Sequence, residues 1–301
     1  MNPMPLWLVL ALISPLFWAI VHVLDAWCVD EVFDAPWIGV VCSAMTILMV
    51  LPLVVAWAFV AGAAPLTASS CGWCVLAGAA FMLGQAFYFE ALSSSESGIV
   101  AAYWNILPLL LLAVSYLFCG ERLRPPQYGG ALLLVIGSVS FCAVDTHVQT
   151  RQRALGLMCA AAMAQVAYFM IQQSVFATTS VAVPLVVMTA SMSAAGASPL
   201  LLPRFRSRFI LNWPRIRPIL RYLVAIEAAN MAAIVTSQYA VSFGRASLVS
   251  SVEAAIPAYT FVVSLVLFRL FGKYGEPEAF QRLPAKAALV ALMVVGVWLV
   301  S

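Results

Sequence analysis

Polar and apolar positions do not alternate along most of this chain. Apolar runs of helix-spanning length follow one another, separated by short polar breaks. A hydrocarbon layer about 30 Å thick is crossed by roughly 20 mostly apolar residues in a helix, so each run predicts a membrane-spanning helix. The runs fall near residues 5–29, 36–61, 72–93, 97–119, 126–146, 154–176, 179–203, 219–243, 246–271 and 284–301, ten spans in all. Turn chemistry marks the breaks: "SSSESG", "GERLRPPQYGG", "ATTS" and "GKYGEPEAFQRLP". Most breaks are short, so no soluble domain lies between spans. The first span has no basic residue before it and no small-residue cleavage pattern after it, and it reads as a retained helix.

Composition agrees. Of 301 residues 64% are hydrophobic and 9% charged, and the mean hydropathy is +1.02. A soluble domain of this length needs far more charge to cover its surface. The expected fold is therefore an all-α polytopic membrane protein.

The chain also repeats itself. "EALSSSESGIVAAYWNILP" lies over "YAVSFGRASLVSSVEAAIP" with Ala91, Ser93, Val100 and Pro108 matching Ala240, Ser242, Val249 and Pro257. Pro36 and Pro184, each early in the second span of a half, align in the same way. Two halves, residues 1–149 and 150–301, would each carry five spans. Five is odd, so the second half enters the membrane from the opposite side, an inverted repeat with a site expected near the midplane.

The stretch "YWNILPLLLLAVSYLFCGERLRPPQYGGALLLVIGSV" pairs a helix carrying a central proline with a Gly-Glu-Arg-Leu turn, a Gln and a Gly-rich helix. Over residues 85–138 this pattern resembles the drug/metabolite transporter (DMT) superfamily, the EamA-like carriers. In the second half only Gly275 and Glu276 keep the Gly-Glu turn. The resemblance implies a ten-helix carrier of two five-helix repeats around a central cavity, moving a small-molecule solute through a multi-pass membrane domain, as in a bacterial inner membrane. It implies no substrate, because the superfamily's substrates range widely.

Ionisable residues at membrane depth are the candidate chemistry, since a charge at the bilayer centre costs about 2.5–3.5 kcal/mol on the insertion scale and normally faces a cavity or partner. Glu253 shares a helical stripe with Ser250, Pro257, Thr260 and Ser264; Glu227 shares one with Asn230, Ile234 and Gln238. Each acid reads either as a substrate-binding or proton-coupling group or as polar glue between helices. Pro257 and Pro108, as helix-interior prolines, would free the carbonyls of Glu253 and Trp104 and kink their spans. His22 could relay protons or serve structurally. It shares a face with Trp18, Pro15 and Asp25, and Asp25 is close enough to the acidic loop "DAWCVDEVFD" to be solvated there. Trp104, Asn105, Tyr168, Gln85, Tyr88, Gln165 and Gln172 complete the expected cavity. Glu90, nearer its helix end, is expected at the interface.

No Lys or Arg falls in mid-span, so phosphate-bearing substrates, which favour Arg or Lys, give way to cationic or zwitterionic ones. The rival reading is a membrane thiol oxidoreductase using Cys71 and Cys74 of "CGWC"; a non-transporting scaffold is the third. With His22 and His147 as its histidines, the chain can hold no His-Glu-x-x-His site, and it has no Gly-x-Ser-x-Gly elbow. No cofactor, metal or nucleic-acid partner is expected. All Lys and Arg except Arg122, Arg124 and Arg245 lie on one side of the predicted topology. The positive-inside rule then puts both termini outside, whereas the resemblance implies both inside. The Arg-rich 204–221 stretch is expected to touch anionic lipid head groups.

Overall fold

The computed structural model describes residues 5–61, 66–93, 100, 103–145, 152–271 and 283–301. Among the described residues every regular element is a helix. The "SSSESG" turn, His147, and the Gly275–Glu276 turn lie outside the described residues, as does the loop around Lys273.

The helices are α1 (Leu6–Glu31), α2 (Pro36–Val60), α3 (Ala68–Leu92), α4 (Ile106–Cys119), α5 (Pro125–Asp145) and α6 (Gln152–Phe176), then α7 (Ala182–Ala197), α8 (Pro203–Ile216), α9 (Leu220–Phe243), α10 (Ala246–Glu253), α11 (Ile256–Phe271) and α12 (Leu283–Val300). Their ends have local causes. Pro36 opens α2 at a position where its missing N–H costs nothing. Thr67 caps α3 by accepting from the Ser70 N–H. Gly120 closes α4 at φ 63°, and the next N–H, of Glu121, bonds back to the Ser115 carbonyl, so the Gly-Glu turn is a glycine-terminated helix end.

Among the described residues seven helical runs are long and apolar enough to cross a membrane. Two shorter apolar helices, Ile106–Phe118 and Pro284–Val300, join them. One of the seven runs extends from Pro203 to Phe243. Beyond its first residue it contains two prolines, Pro214 and Pro218, and a short 3₁₀ turn, Arg217–Ile219. The part that crosses is α9; α8 is a separate amphipathic helix, which the sequence pattern had merged into a loop.

The two prolines of the repeat act as restarts rather than mid-helix kinks. The span read as continuous over 246–271 ends at Glu253, turns through Ala254 and Ala255, and begins again at Ile256 with Pro257 in the first turn. Asn105 breaks the earlier span in the same way, two residues before Leu107 and Pro108. A proline in a first turn wastes no hydrogen bond.

Packing is close where residues are small. α3 lies along α6 and α7, α9 along α1 and α2, α2 along α7, and α5 along α12. At the α5–α12 crossing a Cβ on Gly130 would stand 2.6 Å from the Gly296 carbonyl oxygen, and Gln127 donates to the Val300 carbonyl. Between lipid-embedded helices there is little hydrophobic drive, so this backbone approach supplies the association. Lys286, placed beside a loop by the sequence pattern, is fully buried in the first turn of α12, with its ammonium 5.0 Å from the Phe261 ring centre.

Candidate functional site

Helices α1, α2, α3, α4, α6, α9 and α10 enclose one cavity. It runs from Ser250 and Glu253 on α10 to Phe33 and Gly39 at the turn into α2. About 80 Å³ is open to the centres of water-sized molecules, several times the roughly 10–15 Å³ that one water requires.

Every residue picked from the sequence as substrate-binding or coupling lines this space: Trp18 and His22 from α1, Trp104 and Asn105 before α4, Tyr168 from α6, Glu227 and Asn230 from α9, and Glu253 from α10. Pro108 lines it as well, but Pro257 does not. Gln85, Tyr88 and Gln165 reach the cavity, whereas Gln172 is buried behind it. Glu90 stays outside, in an exposed ion pair with Arg153 at 2.6 Å.

The acids are held by neutral donors. Glu227 accepts from Ser43 at 2.9 Å and Asn230 at 2.8 Å, with the Thr46 hydroxyl at 3.4 Å. Glu253 accepts from Ser14 at 2.8 Å. Neither has a cationic partner within ion-pair distance among the described residues. Asp25 completes the set. Rather than belonging only to the solvated acidic loop, it lines the cavity near enough to Glu227 for their charges to interact. Its signal was in the sequence: Trp18, His22 and Asp25 fall at i, i+4 and i+7. The donors Ser14, Ser43 and Thr46 carried no such signal, because hydroxyls are common in apolar helices and which one meets an acid depends on a neighbouring helix.

Aromatic rings form the rest of the wall. Tyr88 makes edge contacts with Trp104 and Phe89, and its hydroxyl lies 3.0 Å from His22 Nδ1. Tyr168 packs edge-on against Phe81, and its hydroxyl accepts from Gln238 at 2.9 Å. Asn230, Gln238 and Ser250 line the cavity, and among the described residues their Oδ1, Oε1 and Oγ atoms have no hydrogen-bond partner.

Beyond Ser250, α10 is tied to the Gly-Glu turn. Ser247 is fully buried and donates to Glu121 at 2.7 Å, while Arg245 reaches the same carboxylate at 3.8 Å and the Arg122 carbonyl at 2.8 Å. The Gly-Glu turn thus serves as the seat for α10.

Comparison with known proteins gives the family. The model of the EamA-like transporter family matches residues 5–142. The matched region covers most of the first half, and the EamA-like family lies within the DMT superfamily. Together with the apolar helices of both halves the match supports an integral multi-pass membrane protein. A solved crystal structure shares its fold at a TM-score of 0.69 and 18% identity, over 97% of this chain and 96% of that one. No curated protein matches the chain.

The cysteine pair stands apart from the cavity. Cys71 and Cys74 are free, half-buried and buried respectively near the start of α3, and neither lines the cavity. Replacing both by Ser is expected to leave folding and solute binding unchanged. A thiol-oxidising activity lost in that variant would overturn the carrier reading.

Proposed function

We propose that this protein is a secondary carrier of a small organic cation or zwitterion, working by alternating access with proton exchange at its cavity acids. The observation that carries the reading is the lining of the cavity: among the described residues Asp25, Glu227 and Glu253 line it, and no Lys or Arg does. An unpaired intramembrane acid is costly, and a cationic solute relieves that cost at the moment it binds. The rings of Trp18, Tyr88, Trp104 and Tyr168 suit the same ligand, because an ammonium is attracted to aromatic faces.

Two further observations support alternating access between inverted five-helix repeats spanning ten times. The packing is reciprocal between halves: α3 rests on α6 as α9 rests on α1, while α2 pairs with α7 and α5 with α12. Ser247, Arg245 and Glu121 also link α10 to the Gly-Glu turn beyond the Ser250 end of the cavity, a contact that a carrier rocking one half against the other would break and remake.

The test is flux. Purified protein in liposomes, offered a panel of radiolabelled amines, amino acids and cationic drugs under an imposed pH gradient, is expected to accumulate at least one of them, and to lose the accumulation when the gradient is collapsed. A panel that shows neither binding nor flux would shift the weight to the scaffold reading. Uptake of organic anions in preference to cations would refute the charge assignment.

A further inference from the structure

Helix α8 (Pro203–Ile216) is not explained by solute transport. It buries Phe209, Asn212 and Ile216 against the α1–α2 turn and the start of α9. The rest of its surface carries arginines and bulky apolar side chains. Arg204, Arg208 and Arg215 follow one another at i, i+4 and i+11 and form a single stripe, and Leu211, at i+7 and 80% exposed, lies within it. Ile210, 62% exposed, lies beside the stripe, and Leu201 and Leu202 are exposed at the end of the preceding span.

The charges differ in their surroundings. Arg215 pairs with Asp34, which also accepts from Asn212 at 2.7 Å. Arg204, Arg206 and Arg208 are exposed and meet no carboxylate within ion-pair distance among the described residues. Arg204 lies over the Phe205 ring, 4.7 Å from its centre, and Phe205 in turn packs edge-on against Trp37 at the start of α2.

We propose that α8 is a docking surface for anionic phospholipid, in which Arg204 and Arg208 hold headgroup phosphates while Ile210 and Leu211 enter the acyl boundary. An amphipathic helix with basic and bulky apolar faces lies in the plane of the bilayer surface, and arginine recognises phosphate oxygens through paired N–H donors. An acidic protein partner would satisfy the arginines but leave Leu201 and Leu211, 84% and 80% exposed, facing water beside a membrane. Asp34 sets the strength of the site by withdrawing Arg215 from the stripe. It also ties the helix to the α1–α2 turn, one residue from Phe33 at the cavity wall.

The proposal is tested on the full-length protein in equimolar phosphatidylglycerol and phosphatidylcholine micelles, with retained lipid counted by native mass spectrometry. The wild type is expected to retain phosphatidylglycerol preferentially, and 1 M salt to shrink the preference because it shortens the screening length to about 3 Å. Arg204→Gln with Arg208→Gln is expected to lower the preference on the order of thirty-fold, from about 1 kcal/mol per arginine near an anionic surface. Asp34→Asn frees Arg215 and is expected to raise it roughly five-fold on the same scale. Equal retention of the two lipids by the wild type, or a preference unchanged in the double arginine variant, overturns the proposal. Neither readout depends on transport.

Discussion

Protein carrying Glu253→Gln is expected to fold and purify normally, to bind the proposed cationic solute at least about thirty-fold more weakly, and to show a flux that no longer follows the pH gradient. The substitution keeps the shape of the side chain, and its amide oxygen still accepts from Ser14. What it removes is the negative charge and the proton. Truncating one partner of a desolvated charge pair costs about 2–5 kcal/mol, and 1.4 kcal/mol is about a factor of ten in affinity. Pro257→Ala is expected to act differently. It lifts the restriction that the proline ring puts on Ile256, so the two helices can join across the Ala254–Ala255 break, and it is expected to slow the conformational cycle more than it weakens binding. Isothermal titration and stopped-flow flux separate the two effects. Unaltered affinity, flux and pH dependence in Glu253→Gln would make this glutamate structural glue and leave Asp25 and Glu227 as the working acids.

Substitution of Gly78 by Leu is expected to destabilise the protein more than any cavity variant. A Cβ at this position stands 2.4 Å from the Met188 carbonyl oxygen and 3.0 Å from the Met192 N–H nitrogen. Those are backbone atoms of α7, so no rotamer change relieves the overlap, and α3 must move off α7. Overpacking of a tight interior costs about 1–3 kcal/mol, and more where the backbone must shift. Gly130→Leu, against the Gly296 carbonyl, should behave alike. Gly156 is the control. Nothing lies within 4 Å of its added Cβ, and Gly156→Ala in α6 is expected to stabilise by about 0.5–1 kcal/mol through helix propensity. Thermal unfolding in detergent, read by loss of soluble monomer, ranks the three. Equal melting of Gly78→Leu and wild type would show that the α3–α7 approach is looser than drawn here.

Run length alone announced helices in a membrane, because hydrocarbon leaves a backbone no partner but itself and each run was long enough to cross. The periodicity of polar residues within those runs placed Glu227, Asn230, His22, Trp18 and Glu253 on faces that line the cavity, since an ionisable group at that depth is tolerated only away from lipid. The Gly-Glu turn was legible too, as glycine is the residue that readily adopts the left-handed cap at Gly120.

Other features needed the tertiary structure. Asp25 sits where solvated loop and cavity meet, and only the approach of α9 to α1 puts it beside Glu227. Which hydroxyls serve the acids depended on partners far away in sequence: Ser14 lies 239 residues from Glu253, and Ser43 lies 184 from Glu227. The division of the Pro203–Phe243 run into a surface helix and a crossing helix was decided by Pro214, Pro218 and the burial of Phe209 and Ile216 against α1 and α2. Local pattern determines what each segment buries, because solvent acts on every residue alike. Which buried group meets which is set by how helices cross, and that is fixed by close approaches such as Gly78 on Met188 and Gly130 on Gly296, which no single helix encodes.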